Sequence, residues 1–272
     1  MAVNLQDLLA QHSLAPLAWQ AGSDAGALLR DGRPANLDVT TKSTPTDVVT
    51  EMDRRSEQLI VDLITAERPQ DAILGEEGGE RPGTSGVRWV VDPLDATVNY
   101  LYRLPLWGVS VAAEVDGRVE VGVVIAPDLQ DAYLAIRGAG SWRVRGTDVT
   151  SNRVSSCQDL TQALVTTGFG YSPQQRASQA HVVQALLPEV RDIRRTGCAV
   201  VDFCWLASGR LDAYYERGLN AWDMAAGALI AEEAGAVVTG TDGLDPAMVA
   251  APAAIADALR SRVHALHREA FG

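Results

Sequence analysis

The run Trp89-Val90-Val91-Asp92-Pro93-Leu94-Asp95-Ala96-Thr97-Val98-Asn99 constrains this chain more than any other feature. Residues 88–91, apolar after Arg88 and rich in β-formers, read as a buried strand that ends at Asp92. Proline then turns the chain, because it has no amide hydrogen to continue a ladder. Asp95, three residues further on, points back to the same spot. Two carboxylates held this close repel one another and are costly to bury unless a cation lies between them. Ligands that are all oxygen suit a hard ion, Mg2+ rather than zinc. The residues after Asp95 open a helix whose first amides suit an anion such as phosphate. Taken alone, Asp-x-x-Asp at a strand end is more often a capped turn than a metal site.

Two other acids extend the pattern. Glu76, in Gly75-Glu76-Glu77-Gly78, follows the apolar Ala72-Ile73-Leu74 and stands at another strand end. Asp223 introduces a helix over 224–234, where an aspartate ordinarily serves as a cap and keeps one oxygen for a metal. Composition removes competing chemistries. Lys42 is the sole lysine among 23 basic residues and follows a threonine, so no phosphate loop ending Gly-Lys-Ser/Thr exists. Gly138-Ala139-Gly140 has Arg143 where a dinucleotide fingerprint needs its third glycine, and no Gly-x-Ser-x-Gly elbow occurs. A net charge of −12 repels nucleic acid and anionic membranes, so neither is expected as a partner. Cys157, Cys198 and Cys204 cannot all pair and lack metal spacing, which predicts a cytoplasmic protein. Cys198 and Cys204 read as small buried hydrophobes. His264 and His267, with Glu269, could offer nitrogen ligands on one helix face, but near the carboxyl terminus they read as exposed.

The periodicities predict helices over 5–30 with a break at Pro16, a loop over 31–49, and a helix capped by Thr50 and stopped by Pro69. Asp116-Gly117 between two apolar runs predicts a hairpin, with further antiparallel strands over 132–136 and 141–145. From about Thr150 strands and helices alternate to a last helix over 253–267. The expected fold class is α+β followed by α/β in one compact unit. Residues 1–149 form an N-terminal half carrying most metal ligands; 150–272 form a C-terminal half carrying the substrate pocket and Asp223.

The three acidic segments, in this order and spacing, resemble the signatures of the inositol monophosphatase family. This is the Mg2+-dependent, lithium-sensitive phosphatase superfamily that also holds fructose-1,6-bisphosphatase. The resemblance runs from Lys42 to the last helix and implies a layered αβαβα sandwich. It implies that Glu76, Asp92, Asp95 and Asp223, with the Leu94 carbonyl, hold two or three Mg2+ ions, Asp92 bridging two of them. Thr97 and Glu76 would position the attacking water and Asp53 would support Thr97; on spacing alone, Asp53 reads as the capping partner of Thr50. Lys42 matches a family lysine near the site. The amides of Ala96 and Thr97 would bind phosphate, Ala199 would meet the sugar ring through its backbone, Glu216 would accept hydrogen bonds from ring hydroxyls, and Asp223 would also face the substrate. Ala96 departs from the family's glycine, and its methyl group is expected either to crowd the phosphate or to demand a negative φ.

The implied reaction is hydrolysis of a small phosphate monoester by metal-activated water, with myo-inositol monophosphate as first choice. Sister branches handle histidinol phosphate, fructose 1,6-bisphosphate and 3′-phosphoadenosine nucleotides, and Arg194, Arg195 and Arg217 leave a bisphosphate pocket open. A catalytically impaired scaffold or regulator is the rival from another class, favoured by Ala96 alone. A phosphorylated polyol as the partner, a homodimer and lithium inhibition follow from the resemblance only.

Overall fold

The computed structural model describes residues 4–271 apart from Asp38, Lys42, Ser43 and Thr46, so the expected place of Lys42 lies outside the described residues. The chain opens with helices α1 (Leu5–Leu9) and α2 (Ala15–Asp31), a small hairpin of β1 (Val39–Thr41) and β2 (Val48–Thr50), and helix α3 (Glu51–Glu67). Strands β3 (Ala72–Gly75), β4 (Gly79–Arg81) and β5 (Val87–Asp95) follow, then the short helix α4 (Thr97–Leu101). An antiparallel run continues with β6 (Gly108–Val115), β7 (Arg118–Ala126), β8 (Asp131–Ile136), β9 (Gly140–Arg145) and β10 (Asp148–Ser151). Next come β11 (Leu164–Thr167), α5 (Pro173–Leu186), β12 (Asp192–Arg194), α6 (Ala199–Ala207) and β13 (Ala213–Glu216). Helix α7 (Ala221–Glu233), strands β14 (Ala236–Thr239) and β15 (Met248–Pro252), and helix α8 (Ala253–Phe271) complete the order.

The strands form an eight-stranded sheet, β10-β9-β8-β7-β6-β5-β3-β4, and a five-stranded sheet, β12-β11-β13-β15-β14. Alternation along each strand sends successive side chains to opposite faces. Val109, Val111, Val121 and Val123 of the large sheet meet Ala18, Ala21 and Ala25 of α2, with Ile60 and Ile64 of α3 in the same core. Their neighbours Ala112, Val124 and Ala126 face α6 and α7, through Val200, Cys204, Ala226 and Leu229. The far side of those two helices, with Phe203, Leu206 and Ala231, packs on Tyr214, Met248 and Ala250 of the small sheet. Helices α5 and α8 close its outer face with Val182, Leu186, Leu259 and Val263. The result is the expected αβαβα sandwich. Helix α7, covered on both sides, is apolar almost all round for this reason.

Close approach seats α7. A Cβ on Gly122 would stand 2.8 Å from the Ala226 carbonyl oxygen, and one on Gly227 would stand 2.6 Å from the Phe203 ring. The first turn of α7 thereby lies beside β6, where Ser110 Oγ donates to the Trp222 carbonyl at 3.4 Å.

The predicted hairpin is present, with Asp116 at φ 51° and Gly117 at φ 80°, the paired positive values of a type I′ turn. Strand β5 does not end at Asp92. It runs on to Asp95 through a bulge, since Asp92 pairs with Ser110 but Asp95 pairs with Gly108, leaving Pro93 and Leu94 opposite Val109 alone. Proline's missing amide costs one ladder bond, and a bulge absorbs that loss without ending the strand. Pro16 opens α2 in its first turn, and the break falls at residues 10–14. Residues 31–49, expected as a loop, include β1 and two of the three residues of β2; β4, β10 and β12 are likewise absent from the expectation. All are three- or four-residue edge pieces too short to show a period. Among the described residues no helix is long and apolar enough to cross a membrane.

Candidate active site

The site sits where β3 and β5, parallel neighbours, end beside the starts of α4, α6 and α7. Glu76 follows the last residue of β3, and Asp92 to Asp95 form the bulged end of β5. Both therefore leave the same edge of the sheet. A cavity of about 480 Å³ opens there, lined by Glu76, Asp92, Leu94, Asp95, Ala96, Thr97, Ala199, Glu216 and Asp223. Of the expected catalytic, metal and substrate residues, all described, only Asp53 does not line it, and Asp53 stands directly behind Thr97.

Asp53 is 1% exposed, and three donors meet it. Its Oδ2 accepts the Thr50 amide at 2.8 Å and the Thr50 hydroxyl, while Oδ1 accepts Thr97 Oγ1 at 2.7 Å. Asp53 is thus both the capping partner of Thr50 and the support of Thr97. Burial nevertheless pushes its carboxyl above the usual range, against the pull of those hydrogen bonds.

The bulge is tied from two directions. Ser56 Oγ donates to the Pro93 carbonyl at 2.8 Å, and the Leu94 amide folds back onto Asp92 Oδ1 at 3.0 Å. Asp95 reaches across to the start of α6, where its Oδ2 accepts the Val200 amide at 2.8 Å and the Cys198 thiol at 3.1 Å. Cys198 and Cys204 are buried as expected, but Cys198 is also a donor into the site.

Ala96 sits at φ 71°, ψ 48°, the left-handed cap position before α4. Of the two effects expected of its methyl group, the retreat to negative φ does not occur. The backbone keeps the glycine-like conformation and the alanine takes the steric cost, about 1–2 kcal/mol for an L-residue there. The reason is that both flanks are pinned, by Asp95 to α6 and by Thr97 to Asp53.

Asp223 is the third residue of α7. The cap itself is Asn220, and Asp223 Oδ2 accepts the Asn220 amide at 2.6 Å in a capping box. Glu216 ends β13, with Oε2 accepting the Tyr214 hydroxyl at 2.6 Å. Burial raises its carboxyl to about 7; the charge on Asp95 adds to this, while the Tyr214 bond and Arg195 oppose it. Gly168 lies directly against this carboxylate, since a Cβ there would lie 2.1 Å from a Glu216 oxygen.

The carboxylates feel one another. Asp92, 1% exposed, is held well above its ordinary range by burial and then by the charges of Glu76, Asp95 and Asp223. Asp223 is raised by burial and then chiefly by Asp95. No three of the described His, Cys, Asp and Glu side chains are closed into a ready metal cluster as they stand. The donor set nevertheless fits a hard divalent cation: four carboxylates and Leu94 line one cavity, and repulsion among the acids is what such an ion relieves.

Asp202 was missed. It is 1% exposed in the first turn of α6, where its oxygens accept Thr166 Oγ1 at 3.0 Å and Thr196 Oγ1 at 2.7 Å. A lone acid inside the apolar run Ala199-Val200-Val201-Asp202-Phe203 was the available signal. His264 and His267, expected at the surface, are buried; His264 Nε2 lies 3.0 Å from the Ala247 carbonyl and His267 Nδ1 2.9 Å from that of Val263. They face the small sheet, away from the site, because α8 packs this side inward.

The chain matches the inositol monophosphatase family over residues 10–271. An inositol-1-monophosphatase of Mycobacterium leprae is 46% identical over 231 residues, which cover 81% of this chain and 79% of the relative. The Nus factor SuhB of Escherichia coli is 38% identical over 236 residues, covering 84% and 85%. Among solved structures, SuhB of Mycobacterium tuberculosis superposes with a TM-score of 0.79 at 38% identity, covering 92% of this chain and 95% of that one. The IMPase of Thermotoga maritima gives 0.84 at 28% identity, covering 95% and 100%. Fold and likeness together define the class, a metal-dependent phosphoric monoester hydrolase. The chain belongs to the inositol monophosphatase family.

Proposed function

We propose that the protein hydrolyses myo-inositol monophosphate to inositol and phosphate with Mg2+. The observation that carries this reading is the meeting of Glu76, Asp92, Asp95 and Asp223 in one cavity beside the Thr97–Asp53 pair. These four acids and the Leu94 carbonyl would hold two or three ions, which polarise the phosphate and acidify water when bound. Thr97 Oγ1 donates its hydrogen bond to Asp53 Oδ1, so its lone pairs are left to accept a hydrogen bond from the attacking water, and Glu76 would accept the other. The Ala96 and Thr97 amides face the phosphate. Tyr214 occupies Oε2 of Glu216, leaving Oε1 for a ring hydroxyl, while Ala199 meets the ring through its backbone and Asp223 faces the scissile oxygen.

The division into a 1–149 half bearing most ligands and a 150–272 half bearing the pocket belongs to this proposal. So do the homodimer, lithium inhibition and a cytoplasmic location, the last supported by three free cysteines. Phosphate release is to be measured on inositol 1-phosphate, histidinol phosphate, fructose 1,6-bisphosphate and 3′-phosphoadenosine 5′-phosphate, with Mg2+ and with chelator. Mg2+-dependent preference for inositol 1-phosphate is expected. Preference for another ester overturns the substrate, and release insensitive to chelator overturns the metal reading. A regulatory role beside catalysis is favoured by the name of the Escherichia coli relative, a Nus factor. Loss of the phenotype of a deletion strain on supplying a hydrolytically inactive Asp223→Asn protein would support that second reading; persistence of the phenotype would remove it.

A further inference from the structure

Helix α3 turns three polar side chains inward within little more than one turn: Asp53, Ser56 and Glu57, at 1%, 0% and 6% exposure. The i, i+3, i+4 spacing places them on one face. Each reaches a different segment of the site. Asp53 meets Thr97 and Ser56 meets the Pro93 carbonyl, as described. Glu57 meets the turn after β3, where Oε2 accepts the Glu77 amide at 2.9 Å and Oε1 accepts the Gly78 amide at 2.5 Å. The two glycines around Glu76 make room for that carboxylate. A Cβ on Gly75 would lie 2.5 Å from Glu57 Oε2, and one on Gly78 would lie 2.7 Å from Oε1.

We propose that Glu57 is a positioning residue, which clamps the turn carrying Glu76 and so aims the Glu76 carboxylate into the cavity. A carboxylate taken from water needs its oxygens satisfied, and charge-assisted bonds to two successive amides are strong and directional. Both bonds fall just beyond Glu76, while Gly75 before it is pressed against the same carboxylate. The backbone is thereby fixed on either side of Glu76, which limits the directions its side chain can take. Helix α3 thus sets three segments, the Glu76 turn, the β5 bulge and Thr97, against one another. This inference rests on the metal-binding role proposed for Glu76.

The test uses Glu57→Gln and Gly78→Ala in the full chain. Glutamine puts an NH2 group where an oxygen accepted an amide, which removes one arm of the clamp with almost no change of shape. The alanine methyl disturbs the same clamp from the turn side with Glu57 intact, so either variant carries the test if the other fails to fold. Three readouts are taken: amide hydrogen exchange at Glu77 and Gly78, Mg2+ binding by calorimetry without substrate, and hydrolysis across a Mg2+ titration. Exchange is expected to speed up, the Mg2+ binding and half-saturation constants to weaken about 10–100-fold, and kcat at saturating Mg2+ to fall as well because Glu76 also orients the attacking water, as for loss of a partner behind a metal ligand. Unchanged exchange in a folded variant overturns the clamp. Faster exchange with unchanged Mg2+ affinity overturns the positioning role and leaves a structural tie. A wild-type protein without Mg2+-dependent hydrolysis would instead sink the reading of Glu76, and the exchange result would still stand.

Discussion

Ala96 offers a sharp quantitative test because its backbone and its side chain disagree. At φ 71°, ψ 48° a residue with a Cβ pays about 1–2 kcal/mol that glycine does not. Two terms oppose replacement by glycine. The half-buried methyl touches both cores that flank the large sheet, and losing it costs about 0.4 kcal/mol, half the value of a fully buried group. Glycine also loosens the unfolded chain by about 0.4–1 kcal/mol. Ala96→Gly should therefore stabilise by about 0.5 kcal/mol. Ala96→Val adds a β-branch in the same conformation, where strain rises toward about 3 kcal/mol, so it should destabilise by about 1–2 kcal/mol. With an unfolding entropy of roughly 2.1 cal/mol/K per residue over 272 residues, 1 kcal/mol moves the melting temperature by about 2 °C. The glycine and valine proteins should then melt about 4 °C apart, with alanine nearer to glycine. Thermal and urea unfolding of the chelated proteins measure this without interference from bound ions. A valine protein as stable as the glycine one would refute the reasoning, since it would mean that residue 96 leaves the left-handed region when free to do so.

Three other outcomes follow from the same geometry. Asp223→Asn should lower kcat by at least about 100-fold with the melting temperature kept within a few degrees, because the amide oxygen can still accept the Asn220 amide while the charge is lost; near-wild-type turnover would remove Asp223 from the machinery. Asp53→Asn should reverse the sense of its bond to Thr97, whose hydroxyl must then accept, and so reduce kcat about 10–100-fold more than it alters KM; an equal change in both would argue for simple distortion. Glu216 is raised in the folded protein from an ordinary 4.5 to about 7, so ionising it opposes folding: the penalty is absent below about 4.5, grows through 7 and is complete above. Without metal, Glu216→Gln should therefore gain stability relative to wild type as pH rises from 5 to 8, by at most about 3 kcal/mol, and a difference that is flat with pH in paired melts would contradict the assigned environment.

How far the sequence reaches is visible in particular residues. The hairpin at Asp116-Gly117, the cap at Thr50 and the strand at Trp89 were readable, because each depends on residues within a few positions. The carboxylates were readable too, though as a set only through resemblance, since nothing local links residue 76 to residue 223. Asp202 was passed over because its two threonine donors lie in separate segments. The histidines of α8 were misplaced because which side of that helix turns inward depends on the sheet it covers.

By itself the sequence determined most of the longer strands and helices, which acids stand near their ends, and that no phosphate loop, dinucleotide fingerprint or Gly-x-Ser-x-Gly elbow is available. Those properties follow from short-range sterics, hydrogen-bonding capacity and charge, which travel with the residue. Only the tertiary structure decided that β5 passes through a bulge to Asp95, that Asp95 ties itself to α6, that Ala96 stays left-handed, and that Glu57 holds the turn of Glu76. Each of these depends on a partner tens of residues away along the chain, and the backbone yields to whichever partner is the more firmly packed.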